Sequence, residues 1–168
     1  MLLSNAVYYI KRYNRTKASR TNRRSEGIIQ TFLPYPDFEK TAEILDNKRL
    51  GKQRVEAYQI LKTLEGRSKG LINHPVMKMW KGSEEALKQY FNVIAREWIR
   101  RDFKHTMGFY EIGQVIYPSW LGDPAFHDSH KSNLLRKDSI HYSIWSNLVS
   151  DNLPYVWPTN SISNRNTT

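Results

Sequence analysis

Cysteine is absent from the 168-residue sequence, which excludes disulfide bonds, thiolate zinc sites and cysteine nucleophiles. No apolar run approaches the roughly 18 residues that a membrane-spanning helix needs, so we expect no membrane partner. We expect neither a metal nor a cofactor, because no carboxylate or cysteine pattern completes a ligand set with His127, His130 and His141. The 39% apolar and 25% charged residues are typical of a soluble globular domain with its own core.

Acidic residues are scarce as well, with 16 Asp and Glu against 26 Lys and Arg, and the net charge is +10. Residues 1–30 hold seven of the basic residues and a single acid, Glu26. The rest of the chain is therefore only mildly basic, with its cations in clusters. This balance predicts a polyanionic partner, and nucleic acid is the commonest one. Charge alone does not separate DNA from RNA or from an anionic membrane surface.

Residues 1–30 are predicted to form a basic extension that is disordered in isolation, because they show no sustained apolar period. Three interpretations stay open for it: a DNA-gripping arm, an organelle transit peptide, or a wrongly assigned start codon. We expect an intracellular protein, with the compartment left open. The main domain is predicted over residues 31–158, followed by a polar tail over 159–168.

Apolar periodicity predicts three long helical stretches. The first helix is expected to follow an N-cap at Asp37 and to reach about Leu64, with a break near residues 46–48 left open. The second is expected to follow a cap at Ser83 and to end near Arg101.

The third main helix is predicted over 127–149, with a break near Asp138 also left open. A short segment is expected to open at His74-Pro75. Strand signals are thin, and Gln114–Tyr117 is the best of them.

The residue of greatest chemical interest is Glu56, in a basic stretch of the first predicted helix. Arg49, Lys52, Gln53 and Glu56 follow i, i+3, i+4 and i+7 spacing, so they share one helical face. Such a face can hold an anion while the acid moves a proton or stabilises a developing cation. The alternative is a solvated face with an ordinary surface ion pair.

Other cations and aromatic residues have competing interpretations. A separate set of cations, with i, i+4 and i+8 spacing, contains Arg96, Arg100 and Lys104. These residues are predicted to form a second site for DNA phosphates, apart from the face of Glu56, with a solvated helix face as the alternative. A weaker cluster contains Lys131, Arg136 and Lys137, and His127 is expected to cap a helix or contact a phosphate. Trp80, Tyr117 and Trp120 fall in loop-like regions, where they either stack on a base or pack beneath a loop.

Three stretches of the sequence resemble the phage pyrimidine-dimer DNA glycosylases, also called endonuclease V, and a bacterial and viral branch of the same superfamily. The first is Thr31-Phe-Leu-Pro-Tyr-Pro-Asp-Phe38, with Arg49-Leu-Gly-Lys-Gln-Arg-Val-Glu56 after it. The second is the helix over 81–103, preceded by Asn73-His74. The third is Gly122-Asp-Pro-Ala-Phe-His127, continued by Ser132-Asn-Leu-Leu-Arg-Lys-Asp138. The likeness covers roughly residues 31–158 and depends on the order and spacing of these motifs.

The resemblance implies an all-α fold, a compact bundle of three main helices with long ordered loops. It also implies a monomeric DNA repair enzyme that acts on double-stranded DNA. It would flip a nucleotide, cut the glycosidic bond of a damaged or modified pyrimidine, and then nick the backbone as an abasic-site lyase. The family's catalytic acid follows an arginine on its first helix, which matches Arg54 and Glu56 with spacing that differs by one residue. Arg49 is the alternative arginine, and the family's histidine before the central helix matches His74. Arg49, Lys52 and Arg54 would bind the phosphates that flank the flipped nucleotide.

The lyase step needs an uncharged amine, and the phage enzymes use the α-amino group of an N-terminal threonine. The equivalent here is Thr31, which thirty residues precede. Three solutions are open: cleavage that exposes Thr31, a lysine whose pKa neighbouring cations lower, for which Lys52 is the choice, or loss of lyase activity. The rival functions are a noncatalytic nucleic-acid-binding protein on the same scaffold and an RNA-processing nuclease.

Overall fold

The structure, a computed structural model, describes residues 29–161. The predicted basic extension lies almost entirely outside the described residues, as does most of the predicted polar tail. Within residues 29–161 all regular secondary structure is helical, which confirms the predicted all-α fold. The helices are α1 (Phe38–Ile44), α2 (Asn47–Leu64), α3 (Pro75–Trp80), α4 (Glu84–Arg100) and α5 (Pro124–Lys137), followed by a 3₁₀ turn at Ser143–Trp145.

Capping aspartates set the helix boundaries. Asp37 accepts hydrogen bonds from the backbone at the start of α1, and Asp46 does the same at the start of α2. The break considered near residues 46–48 is therefore present, because Asp46 caps a new helix instead of continuing the old one. Asp123 caps α5, with Pro124 at its first position. This helix begins three residues before the predicted start and ends at Lys137, so the predicted helix to residue 149 is wrong beyond the break at Asp138.

Two local predictions are corrected by side-chain contacts. Ser83 occupies the N-cap position of α4 but makes no capping bond, because its Oγ accepts from Nδ2 of Asn160 at 2.8 Å. The predicted strand at Gln114–Tyr117 is absent. The loop that contains it is fastened to α4 instead: Asn92 exchanges two hydrogen bonds with the backbone of Tyr110, at 2.8 and 2.9 Å.

The core lies where α4 packs against α1 and α2. Leu87, Phe91 and Ile94 on α4 are fully buried, as the helical spacing predicts. Helix α2 approaches α4 closely at Gly51, where an added Cβ would lie 2.9 Å from the ring of Trp98. A glycine is therefore required at the point where the two longest helices meet.

Two of the aromatic residues predicted to lie in loops belong to the core, and Trp80 is the last residue of α3. Trp80 and Trp120 are 0% and 4% exposed, and their rings meet edge to face at 5.1 Å. Both are packed inside the fold, Trp80 at the end of a helix and Trp120 in a loop, so neither is available for base stacking. Tyr117 remains 49% exposed, with its hydroxyl donating to Gln89 Oε1.

Two buried histidines on α5 hold the extended segment that precedes α1. Nδ1 of His130 accepts from the backbone N–H of Leu33 at 3.1 Å, and Nδ1 of His127 donates to the Leu33 carbonyl at 2.8 Å. Burial lowers the pKa of His130 to about 3, so its ring is neutral and can accept. Nε2 of His127 accepts from Gly122, so both of its nitrogens are used inside the protein. The histidines thus position residues 30–32 against α2.

None of the helices within residues 29–161 combines the length and the hydropathy that a bilayer crossing requires.

Candidate active site

Glu56 lies in a polar pocket on α2 and is only 5% exposed. Its Oε2 accepts from Nε2 of Gln53 at 3.0 Å, and its Oε1 lies 3.2 Å from Nζ of Lys52. The backbone of Gln30 supplies a further hydrogen bond. The carboxylate is therefore held by three polar partners within the fold, and the solvated-face alternative does not describe it.

Burial raises the pKa of Glu56 to about 7, because a desolvated carboxylate disfavours its charge. The positive charge of Lys52 and the hydrogen bonds from Lys52, Gln30 and Gln53 act in the opposite direction and limit the rise. At neutral pH the group is consequently divided between its acid and its base form. That is the state in which a carboxyl group can serve in proton transfer.

Gln53 links the extended segment to this carboxylate. Its Oε1 accepts from the backbone N–H of Phe32 at 2.9 Å, and its Nε2 donates to the carbonyl of Gln30 at 2.9 Å in addition to Glu56. The side chain is fully buried. It was predicted to contact DNA, and the structure gives it instead the task of orienting Glu56 and the backbone beside it.

Thr31 is fully buried close to this pocket. Its backbone N–H donates to Oε1 of Gln30 at 3.0 Å, and its hydroxyl accepts from Nε1 of Trp80 at 3.0 Å. The backbone group that is hydrogen-bonded to Glu56 belongs to Gln30, the residue before Thr31. In the chain described here that nitrogen is an amide, because Ile29 precedes it.

Lys52 contacts the carboxylate, and Lys137 interacts with it electrostatically. Arg49 shares the helical face of Lys52 and pairs with Asp46 at 3.3 Å. We call Arg49, Lys52 and Lys137 the cationic rim. Nη2 of Arg49 donates to the carbonyl oxygen of Lys137 at 3.2 Å, which joins the end of α5 to α2. Nζ of Lys137 lies 6.0 Å from the centroid of the Phe32 ring. Lys52 is largely exposed, with 45% of its side chain accessible. An anion bound by Lys52 and Lys137 would lie close to Glu56.

Sequence reasoning assigned Lys137 only to a weak third cluster. Its proximity to Glu56 depends on how α5 packs, and no spacing along the chain reveals that. The signal that was available is the basic pair Arg136-Lys137, directly before the break considered at Asp138 in the third predicted helix. Arg136 itself is used differently, because its Nη2 donates to the carbonyl of Leu153 at 2.9 Å and ties down the C-terminal segment.

Arg54 does not join the rim. It is 3% exposed, its Nη1 lies 3.0 Å from Nδ1 of His105, and its guanidinium lies 4.3 Å from the centroid of the Trp98 ring. Burial lowers its pKa to about 10, which still leaves it charged. Two helical positions separate it from Glu56, which corresponds to roughly 200° around the axis. Arg49, the alternative match for the family's arginine, lies on the same helical face as Glu56.

The remaining predicted DNA contacts are distributed over the molecule. His74 caps α3 by accepting from the backbone of Val76, and its ring meets Trp157 edge to face at 5.4 Å. His127 is buried and fully bonded, as described above. Lys131 pairs with Asp128 at 2.8 Å.

The predicted second phosphate track is only partly available. Arg100 holds Glu97 through two hydrogen bonds, at 2.6 and 2.7 Å. Arg96 and Lys104 are exposed. Both interpretations of Arg96, Arg100 and Lys104 therefore stay open: a phosphate-binding track and a solvated helix face.

Aromatic residues of the C-terminal segment approach the pocket. Tyr155 is partly buried, with its ring 5.5 Å from His130 and 5.9 Å from Trp157. Its pKa is raised, first by burial and then by the negative charge of Glu56, which places the phenol within electrostatic reach of the carboxylate. An aromatic ring, in addition to the cations of the rim, therefore lies near Glu56.

An open groove elsewhere on the surface is less suited to a polyanion. It is lined by Pro36, Asp37, Phe38, Glu39, Gln89, Val93, Tyr117 and Leu121. Its charged members are two carboxylates, and it includes neither Glu56 nor a cation.

The fold and the pocket define a class: an all-α protein that holds one carboxylate of raised pKa beneath a cationic rim. Comparison with known families gives a more specific assignment. The family described as pyrimidine dimer DNA glycosylase matches residues 29–111, so the chain is similar to that family over these residues, and the predicted resemblance is confirmed. The match includes the extended segment, α2 with Glu56, and α4. Neither the curated proteins nor the solved structures contain a match to the chain.

Proposed function

We propose that this protein is a DNA N-glycosylase that removes a damaged or modified pyrimidine from double-stranded DNA. The observation that carries the proposal is the Glu56 carboxylate, buried beneath the cationic rim within the segment that matches the family. The family match supports a glycosylase that acts on DNA. The choice of lesion and the subsequent strand cleavage are parts of the proposal.

Glu56 would act at the sugar of the flipped nucleotide. Cleavage of a glycosidic bond leaves positive charge on C1′ and O4′ of the sugar, and an ionised carboxylate stabilises that charge. The departing base needs a proton, and a carboxylic acid can supply it. A pKa of about 7 keeps both forms of Glu56 populated at neutral pH. The cationic rim would bind the phosphates on either side of the flipped nucleotide.

The direct test uses plasmid DNA irradiated with ultraviolet light, with unirradiated plasmid as the control. Strand breaks are scored before and after alkali, because alkali converts an abasic site into a nick even if the protein has no lyase activity. We expect alkali-dependent or direct nicks only in irradiated DNA. Salt-sensitive binding without cleavage of dimers, abasic sites, or oxidised or hydroxymethylated pyrimidines would favour the noncatalytic nucleic-acid-binding protein.

A second prediction concerns Lys52, whose charge lowers the pKa of Glu56. In Lys52→Gln that charge is lost, so the pKa of Glu56 rises and the titration of base release that reports Glu56 moves to higher pH. The measurement is the pH profile of kcat/KM on a duplex with a single lesion. Lys48→Gln is the matched control, because Lys48 is an exposed residue at the start of the same helix. Equal displacement of both profiles would mean that general loss of positive charge, and not the pair with Glu56, controls the titration.

A further inference from the structure

The lyase step of the proposed function requires a nucleophilic amine beside Glu56. The backbone nitrogen bonded to Glu56 is that of Gln30, and with Ile29 attached it is an amide, whose lone pair is delocalised into the carbonyl group. Thr31 has a backbone N–H that is bonded elsewhere and a side chain that is fully buried. A chain in which residue 29 is present must therefore take the amine from a side chain.

Lys52 is poorly suited to that role. Its Nζ is held by Oε1 of Glu56 at 3.2 Å, so attack on a sugar carbon would require this ion pair to break. Lys52 is better placed to control the charge of Glu56 and to contact a phosphate.

Lys137 has the opposite surroundings. Among the described residues no carboxylate lies within ion-pair distance of its Nζ, and its pKa is lowered by desolvation and then by the charges of Lys52 and Arg49. Arg136, on the same helix, also lowers this pKa, and Glu56 raises it. Loss of hydration and nearby cations both favour the neutral amine. These are the conditions that activate catalytic lysines.

Geometry brings this amine to the same pocket. Nζ of Lys137 lies 6.0 Å from the centroid of the Phe32 ring. The backbone of Phe32 donates to Gln53, and Gln53 donates to Glu56. The main chain at Lys137 is fixed as well, because its carbonyl accepts from Arg49. The Phe32 ring and Arg49 thus bring the end of α5 to the segment beside Glu56, and the Lys137 amine lies within electrostatic reach of the carboxylate.

We propose that Lys137 is the catalytic residue that forms the Schiff base with the abasic sugar, an inference that rests on the proposed function. The Nζ lone pair attacks C1′ of the ring-opened aldehyde. The aldehyde oxygen leaves as water with one proton from the amine and one from an acid such as Glu56, and a protonated imine remains. A base then removes a proton from C2′ to give an enamine. Collapse of the enamine breaks the C3′–O3′ bond, the phosphate departs with the electron pair, and water finally hydrolyses the imine.

The test incubates the full-length protein with a duplex that carries a single abasic site, in the presence of borohydride. Borohydride reduces the imine to a stable amine, and digestion with mass spectrometry then identifies the modified residue. We expect the adduct on Lys137. An adduct on Lys52, on an α-amino group at residue 30 or 31, or on any other amine overturns the inference.

Variants give a second measurement. Lys137→Arg keeps the charge but cannot form a Schiff base, so we expect it to bind the abasic duplex and to lose the trapped complex. Lys40→Arg, at an exposed position of α1, is the matched control and should trap as the wild type does. Trapping by the wild type should increase with pH, with a midpoint below the value near 10.4 of free lysine. Trapping that persists in Lys137→Arg, or a midpoint at the free-lysine value, contradicts the inference.

Release of the base from irradiated DNA, measured in parallel, separates the two proposals. If the base is released and no adduct forms, the protein is a glycosylase without a lyase step, and only the role of Lys137 is rejected. If neither occurs on any of the lesions tested, the proposed function fails as well.

Discussion

Glu56→Gln is expected to reduce base release from damaged duplex DNA by at least about 100-fold, the lower range for loss of a general acid or base. Glutamine preserves the length of the side chain, and its oxygen can still accept from Gln53. It can neither ionise to stabilise charge on the sugar nor donate an acidic proton to the departing base. Duplex binding should be retained or become tighter, because a carboxylate beneath the cationic rim is removed. Single-turnover release of the base and a binding titration at fixed salt measure the two quantities.

Glu39→Gln is the appropriate control for this variant. Glu39 is an exposed carboxylate on α1 outside the pocket, and its removal changes the net charge by the same amount. Its rate of base release should therefore match that of the wild type. Full activity in Glu56→Gln would remove the central residue of the mechanism and leave the cationic rim as a binding surface alone.

Helical spacing predicted which side chains lie next to Glu56 because α2 is regular through residues 49–56. The grouping of Arg49, Lys52, Gln53 and Glu56 on one face depends only on 100° per residue. Burial of Leu87, Phe91 and Ile94 on α4 follows from the same rule. The same geometry separates Arg54 from Glu56, although adjacency in the sequence suggested a shared role. The sequence thus contained the information needed to prefer Arg49, once helical angle was given more weight than proximity along the chain.

What the sequence could not predict is the contribution of distant segments. Lys137 reaches the pocket because α5 packs against the extended segment through His127 and His130, and those contacts join residues almost one hundred positions apart. The raised pKa of Glu56 has the same origin, since its burial depends on the backbone of Gln30 and on the packing around it. Spacing along one helix describes neighbours on that helix, whereas desolvation depends on the elements that cover it.

The burial of Glu56 should also appear in the pH dependence of stability. The pKa of Glu56 is about 7 in the folded protein and near its ordinary 4.5 in the unfolded chain. Between these two pH values the folded state binds one proton more than the unfolded state does. The contribution of Glu56 to the free energy of unfolding therefore falls as pH rises, and it reaches its minimum above pH 7. A difference of this size corresponds to about 3 kcal/mol. Ionisation of Glu56, which the reaction at the sugar needs, thus lowers the free energy of unfolding.

Glu56→Gln removes this titration, so the variant should gain up to about 3 kcal/mol relative to the wild type between pH 4.5 and pH 8. Urea denaturation of both proteins across that range measures the difference, and groups that titrate identically in both, such as His130, cancel. Glu39→Gln should follow the wild type throughout. Parallel curves for wild type and Glu56→Gln would mean that water reaches the carboxylate freely in the folded state. The acid would then ionise near its ordinary pKa, and the double role as proton donor and charge stabiliser at neutral pH would have no physical basis.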